Sequence, residues 1–498
     1  MYFLDAEKIR ALDSETIASG TPGLVLMERA GYAAYKFLTD VFAPKAKRFL
    51  VLGGCGNNGG DGWVVARYLI QRGLHCDVVL LGRIIKLKGD ALTQFRRLER
   101  LAPIAELSDP EAIREYLSVW QGDVIVDAMT GTGFHGGAGA FLASAISSVN
   151  AHPAKVLALD VPSGLSADGE ESRLFVKADW TVTFGHAKLA TLTDNDRFCG
   201  RTEIVDIGLN RPRNAESLAC ALSLTEARRL LPKPDNASYK HARGHLLLLA
   251  GSEGMGGAAI LAAKAASLGG AGLVTAAVPA SLVPSLNTAL PNVLTLALSG
   301  DLEKDKEILS QNWERFDAAA LGPGWKEDGY HKDLLRAVAA SPIGRQVWDA
   351  GALSIFAGEP FDLSPGTEFL FTPHAGEFKK LSGELPPPDD KGRIKAAQGF
   401  ADKLNLTLLL KGHHTAVCAP GSLPGLNLSG NPYLSTAGTG DLLLGLAGAF
   451  LAQGLKSCDA ALLAAYYHGL AADFAVPLGG RDAADFAAQL GRALNYGG

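Results

Sequence analysis

At 498 residues the chain exceeds the size at which one hydrophobic core stops growing, so two domains are expected. A net charge of −5 leaves no basic footprint for nucleic acid, and 47% hydrophobic with 20% charged residues is the balance of a folded chain rather than a disordered one. The six cysteines (Cys55, Cys76, Cys199, Cys220, Cys418, Cys458) lack metal-ligand spacing and read as reduced thiols. The N-terminus has no signal-peptide core, and the longest apolar run, after Asp441, is Gly-interrupted and short for a bilayer. A cytoplasmic chain with no membrane segment is expected.

Apolar spacing of three and four residues (Ile9, Leu12, Ile17, Leu24, Leu26, Met27) predicts helix over 7–42. Strand 49–52, a Gly/Asn loop over 53–62 and helix 63–71 follow, then strands at 77–81, 124–127, 156–160, 180–184 and 203–205. Short apolar strands alternating with helices predict a mostly parallel sheet covered on both faces. Prolines at 212, 232 and 234 mark 208–234 as a linker containing one short helix near Thr225. A second βα series has strands at 245–250, 273–277, 318–321, 346–349, 368–371 and 406–410, and ends in long helices after Asp441 and Cys458. Two sheets, each with loops at the carboxyl strand ends, predict two ligand clefts. Apolar helix faces near the N-terminus and over 458–476 suggest a homo-oligomer.

The first half is marked by Gly53-Gly54-Cys55-Gly56-Asn57-Asn58-Gly59-Gly60-Asp61-Gly62 between a strand and a helix. Its glycines permit close backbone approach, and the helix start offers N–H groups to an anion such as phosphate. Gly54, Gly56 and Gly59 also fit G-x-G-x-x-G with Asp77 about twenty residues on, which is compatible with a dinucleotide-binding dehydrogenase. The Asn-Asn-Gly-Gly-Asp run goes beyond that pattern. With Asp127 and Ser163 at two further strand ends, Asn58 supplies hard oxygens suited to an alkali or alkaline-earth cation. Taken singly, each is equally compatible with a turn-former satisfying local backbone donors.

GNNGGDG, the VDAMTGTG and DVPSG segments and the early Leu26-Met27-Glu28-Arg29-Ala30-Gly31 together resemble the NAD(P)HX epimerase domain, over residues 1–212. The resemblance implies a Rossmann-like fold, a bound K+ and a hydrated nicotinamide nucleotide as substrate. Asn57, Asn58, Gly59, Gly60 and Asp61, and Gly131, Thr132, Gly133, Phe134, His135, Gly136 and Gly137, would contact that substrate. Asn58, Asp127 and Ser163 would hold K+, and Asp160 would be the catalytic carboxylate. Epimerising a carbon that bears a hydroxyl beside nitrogen needs one proton acceptor, for which Asp160 at a strand end is suited and His135 is a rival.

In the second half, Ser435-Thr436-Ala437-Gly438-Thr439-Gly440-Asp441 stands directly before an apolar helix. Amides at such a helix start form an anion hole for a transferring phosphoryl group, and Asp441 could take a proton from an attacking hydroxyl. The bland alternative is an acid favoured in a first helical turn. Lys411-Gly412-His413-His414-Thr415 follows a strand and could bind phosphates; the two histidines have no further ligand at metal spacing. KGHHT, TPHAGE, LGPG, GNP and AGTGD in this order resemble the ribokinase-like NAD(P)HX dehydratase, over 225–498.

That resemblance implies that Ala258, Gly324, His374 and Asp441 contact the hydrate, while Lys411, Gly412, His413, His414, Thr415 and Gly440 bind ADP or ATP, with Mg2+. Asp349-Ala350-Gly351-Ala352 lacks a second acid sometimes found at 351, and Asp349 is assigned no role. The fold class expected is thus α/β, two doubly wound domains, Rossmann-like then ribokinase-like. The expected function is epimerisation of R and S NAD(P)H hydrates and nucleotide-driven dehydration of the S form. The alternative is a ribokinase-like small-molecule kinase fused to a non-catalytic dinucleotide-binding module.

Overall fold

The computed structural model describes residues 2–4, 6–42, 46–134, 137–165, 174–188, 196–210, 212, 217, 219–233 and 243–496. The chain divides into two compact units, residues 1–218 and 219–498.

The first unit runs β1 (Tyr2–Leu4), α1 (Ala6–Ala18), α2 (Gly23–Phe42), β2 (Arg48–Gly53), α3 (Asn57–Gln71), β3 (His75–Leu81), β4 (Ala105–Leu107), β5 (Val124–Ala128), β6 (Lys155–Leu159), β7 (Trp180–Phe184), β8 (Ala187–Lys188) and β9 (Arg201–Val205), with further helices between them. Seven strands form a sheet in the order β4-β3-β2-β5-β6-β7-β9. All its neighbours are parallel. Alternate residues feed opposite faces: Phe49 and Val51 pack with Trp63 and Phe95 on one side, Leu50 and Leu52 with Ile113 and Ile146 on the other. Strand order reverses between β2 and β5, so the crevice at their carboxyl ends is where this topology opens a ligand site.

Two boundaries differ from the sequence reading. The helix predicted over 7–42 is two, because Pro22 cannot continue a helix and biases Thr21 out of it, while Gly20 turns at φ +111°. Helix α3 begins at Asn57, not at Trp63: the Asn-Gly-rich segment is itself the first turn. Tertiary packing decides this against propensity, since a Cβ on Gly59 would stand 2.0 Å from the Gly54 carbonyl oxygen.

The second unit contains β10 (Ala219–Cys220), β11 (His245–Leu249), β12 (Leu273–Pro279), β13 (Leu294–Leu298), β14 (Ala318–Leu321), β15 (Arg345–Trp348), β16 (Glu368–Phe371), β17 (Thr407–Leu410), β18 (Thr415–Cys418) and β19 (Gly425–Asn427). They stand in the order β13-β12-β11-β14-β15-β16-β17-β18-β19-β10. Pairing is parallel from β13 to β17, then antiparallel through β18 and β19. Helix Ser457–Ala475, continued by a 3-10 turn to Leu478, is long and apolar enough to cross a membrane by length and composition. It lies instead among the core residues of this unit, with Ala460, Leu463, Tyr467 and Ala471 fully buried. The apolar face expected there for an oligomer is therefore spent on the domain's own core. All six cysteines are free.

Candidate functional sites

At the β2/β5 crevice of the first unit lies a cavity of about 550 Å³, lined by α1, the first turns of α2, the start of α3, the Met129–Phe134 loop, Asp160 and Lys188. Asn58, in the first turn of α3, is buried; its Nδ2 donates to the carbonyls of Thr130 (2.7 Å) and Leu159 (3.0 Å). Its Oδ1 is buried without a partner. Asp127, fully buried at the end of β5, accepts from Ser163 Oγ at 2.5 Å and from the Ser163 amide at 2.8 Å. Burial pushes its carboxyl up to about 6 against those donors. Ser163 Oγ in turn accepts the Thr130 amide at 2.8 Å. The three residues predicted to share a cation thus meet around the Thr130 backbone. An orphaned amide oxygen, a buried carboxylate and a hydroxyl suit an alkali cation in chemistry.

Asp160 follows β6 directly, at φ +68°, a conformation strained for a residue with a side chain. Its carboxylate pairs with Lys188 Nζ at 2.6 Å. Lys188 is 1% exposed and also donates to the Phe184 carbonyl at 2.8 Å. Asp61 faces the same cavity, and burial first, then the charge of Asp160, drive its carboxyl well above the ordinary range, with Lys188 opposing. Burial and neighbouring Asp90 raise Asp13 as well.

Of the predicted substrate contacts, Asn57, Asn58, Asp61, Gly131, Thr132, Gly133, Phe134 and Asp160 line the cavity. Gly59 and Gly60 are buried beneath it in α3, and Gly137 is exposed. His135 and Gly136 lie outside the described residues. Asp77, the acid of the dinucleotide pattern, binds Arg48 Nε and Trp120 Nε1, both at 2.8 Å, which is a role in bracing strands. Lys188 was not singled out from sequence, although a lysine just past a buried strand end is its only signal.

In the second unit strand order reverses between β11 and β14, whose following loops are tied by the Gly251 amide on the Pro323 carbonyl at 2.7 Å. Gly324, at φ +70°, packs on Gly251, and Ala258 lies in the first turn of helix Gly256–Leu268 beside them. Helix Thr439–Ala452 starts after Gly438 at φ +89°, so Gly440 and Asp441 occupy its first turn. Desolvation, then the charge of Asp349, raise the Asp441 carboxyl to about 6, with Lys411 opposing. Lys411, just past β17, points its ammonium at Asp349. His374 caps helix Ala375–Ser382, its Nδ1 accepting the Gly376 amide at 2.9 Å, and its ring is largely exposed. Gly412 is overlaid by the Arg393 guanidinium, which donates to the Lys411 carbonyl at 3.2 Å. His413 stacks on His414, and His414 is buried on Asp390 at 2.6 Å. Thr415 opens β18. Asp349, Arg393, Asp390 and His468, which bonds the Thr439 backbone, were not among the predicted site residues. Each is placed by a contact with another residue, and contacts of that kind leave no motif.

Two α/β units, each bringing a carboxyl group to a Gly-containing helix start, define a two-domain α/β enzyme. Family profiles match each unit: "YjeF-related protein N-terminus" over residues 23–190 and "NAD(P)H-hydrate dehydratase" over 246–487. The bifunctional NAD(P)H-hydrate repair enzyme Nnr of Moorella thermoacetica is 35% identical over 492 residues, covering 95% of this chain and 92% of that one. Its namesake in Salinibacter ruber is 35% identical, covering 94% and 91%. Among solved structures, the ADP/ATP-dependent NAD(P)H-hydrate dehydratase of Bacillus subtilis co-crystallised with ATP/Mg2+ is 26% identical, with a TM-score of 0.48 over 55% of this chain and 97% of that chain. The chain belongs to the family of bifunctional NAD(P)H-hydrate repair enzymes.

Proposed function

We propose that the two activities of a bifunctional repair enzyme are carried separately, the epimerase by residues 1–212 and the dehydratase by 225–498. Asp160 is the base of the epimerase. It takes the proton of the C6 hydroxyl, the bond from C6 to the ring nitrogen opens as a carbonyl forms, and re-closure on the other face returns the proton. Asp61, whose carboxyl burial drives well above the ordinary range, supplies a proton to the departing nitrogen. The observation that supports this reading is the Asp160–Lys188 pair facing the 550 Å³ cavity together with Asp61. Asn58, Asp127 and Ser163 would hold K+, whose charge would offset that of the substrate's diphosphate. The amides of the 131–137 loop and the start of α3 orient that diphosphate.

In the second unit Asp441 deprotonates the C6 hydroxyl of the S hydrate, whose oxygen attacks the terminal phosphoryl group of ADP or ATP, releasing AMP or ADP. Hydroxide departs poorly and phosphate well. The ring nitrogen then expels phosphate, C5 loses a proton, and the dihydropyridine is restored. Lys411 and the amides at Gly440 hold the transferring charge, and Ala258, Gly324 and His374 contact the hydrate. Among the described residues no three His, Cys, Asp or Glu side chains stand together as a metal site, so Mg2+ would enter on the nucleotide's phosphates. A kinase fused to a binding module is disfavoured, because the 35% identity to repair enzymes spans both halves. Free thiols accord with a cytoplasmic setting, and exposed Ile17, Val25 and Tyr32 on α1 and α2 with a homo-oligomer formed there.

The test is recovery of reduced-nicotinamide absorbance from mixed hydrates, with ADP against ATP and with and without K+. Recovery that stops once the S form is consumed would remove the epimerase, and no recovery with either nucleotide would remove the dehydratase.

A further inference from the structure

Asp349 is the first residue after β15, and Lys411 the first after β17, with β16 between them. The Asp349 carboxylate is 3% exposed and accepts the Lys411 ammonium through both oxygens, at 2.8 and 3.0 Å. A Cβ added at Gly440 would stand 3.3 Å from Asp349 Oδ2 and 3.4 Å from Lys411 Nζ, so the ion pair sits against the first turn of helix Thr439–Ala452. The strand-end turn that carries Asp349 is braced and strained. Its amide donates to the Leu321 carbonyl at 3.1 Å, and Ala350 beside it adopts φ +47° although it is not glycine. Strain of this kind persists where the surroundings enforce a geometry. A buried ion pair is by itself no sign of stability, and Lys411 remains 22% exposed.

We propose that Asp349 is a positioning residue: it aims the Lys411 ammonium at the N-terminus of helix Thr439–Ala452, where the terminal phosphates of an adenine nucleotide would meet it. The proposal rests on the reading of Lys411 and Asp441 given above. Without the anchor, a lysine stem samples many rotamers and loses them on binding.

The same carboxylate acts on Asp441. The groups around Asp441 are Asp349 and Lys411 from the strand-end loops, Glu377 beyond Lys411 (3.9 Å from its ammonium), and His468 from helix Ser457–Ala475, which burial drives down to about 4 and so leaves neutral at working pH. Asp349 is the one of these that raises Asp441 by its charge. Removing that charge lets Asp441 ionise at lower pH, and the ionised form is the base.

Three full-length variants decide the matter: Asp349→Asn, Lys411→Ala and the double variant, assayed on pure S hydrate with ADP and with ATP. Asp349→Asn is expected to raise the nucleotide KM about tenfold with the hydrate KM unchanged. It is also expected to move the acid limb of kcat/KM to lower pH. In the Lys411→Ala background it adds less than about twofold to the nucleotide KM. Should Asp349→Asn accumulate unfolded, Asp349→Ser is the substitute with the same expectations. A variant whose melting point falls while nucleotide KM and pH profile stay put makes the pair purely structural and overturns the proposal. If Lys411→Ala leaves the nucleotide KM unchanged, the assignment of Lys411 itself falls. If it raises that KM while the Asp349 variants do not, only the role of Asp349 falls.

Discussion

Lys188 and Asp441 show how single side chains divide the work between local chemistry and neighbours. A lysine 1% exposed must be paired, and the 2.6 Å contact with Asp160 pairs it in the wall of the cavity. Lys188→Met is expected to slow R-to-S exchange about a hundredfold while leaving dehydration of pure S hydrate intact; unaltered exchange kinetics would remove Lys188 from the site. Asp441→Asn is expected to cut dehydration at least about a thousandfold with exchange persisting. Because Asp441 is raised to about 6 and, as the proposed base, has to be ionised, dehydratase activity should fall as pH drops through that value. A flat profile between pH 5 and 7 would speak against it as the base. Potassium should raise the melting temperature of the first unit, and Asp127→Asn should erase that increment.

At the level of elements, the start of α3 places Asn58 and Asp61, and it holds only because two backbones touch. Gly59→Ala would push a methyl to 2.0 Å from a main-chain oxygen that cannot yield, for a cost of about 3 kcal/mol or more. Gly133→Ala, with nothing within 4 Å, should cost little by comparison. Chemical denaturation of the two variants measures the difference, and equal midpoints would contradict the packing argument. The central strands were legible as apolar runs because burial on both faces erases alternation. Thr415–Cys418 and Gly425–Asn427 were not, since strands of three or four residues carry too little pattern. Helix Ser457–Ala475 read as an outward apolar face because composition cannot distinguish a core helix from an interface.

Across the whole molecule, independent sites have a kinetic consequence. Asp160→Asn mixed with Asp441→Asn should together drain a mixed R and S pool, since hydrates exchange through solution. Failure of the mixture where the unaltered chain succeeds would mean that the hydrate must pass within one chain. Two α/β units and the Gly-rich turns were determined by the amino-acid sequence alone, because Gly-rich turns and apolar strands are local patterns, and the same motifs single out Asp160 and Asp441 as the proposed acids. Only the tertiary structure decided which charged partners stand beside the proposed site residues. Lys188 on Asp160 and Asp349 on Lys411 are brought together across strands far apart in the chain, and a contact made at long range leaves no trace in spacing.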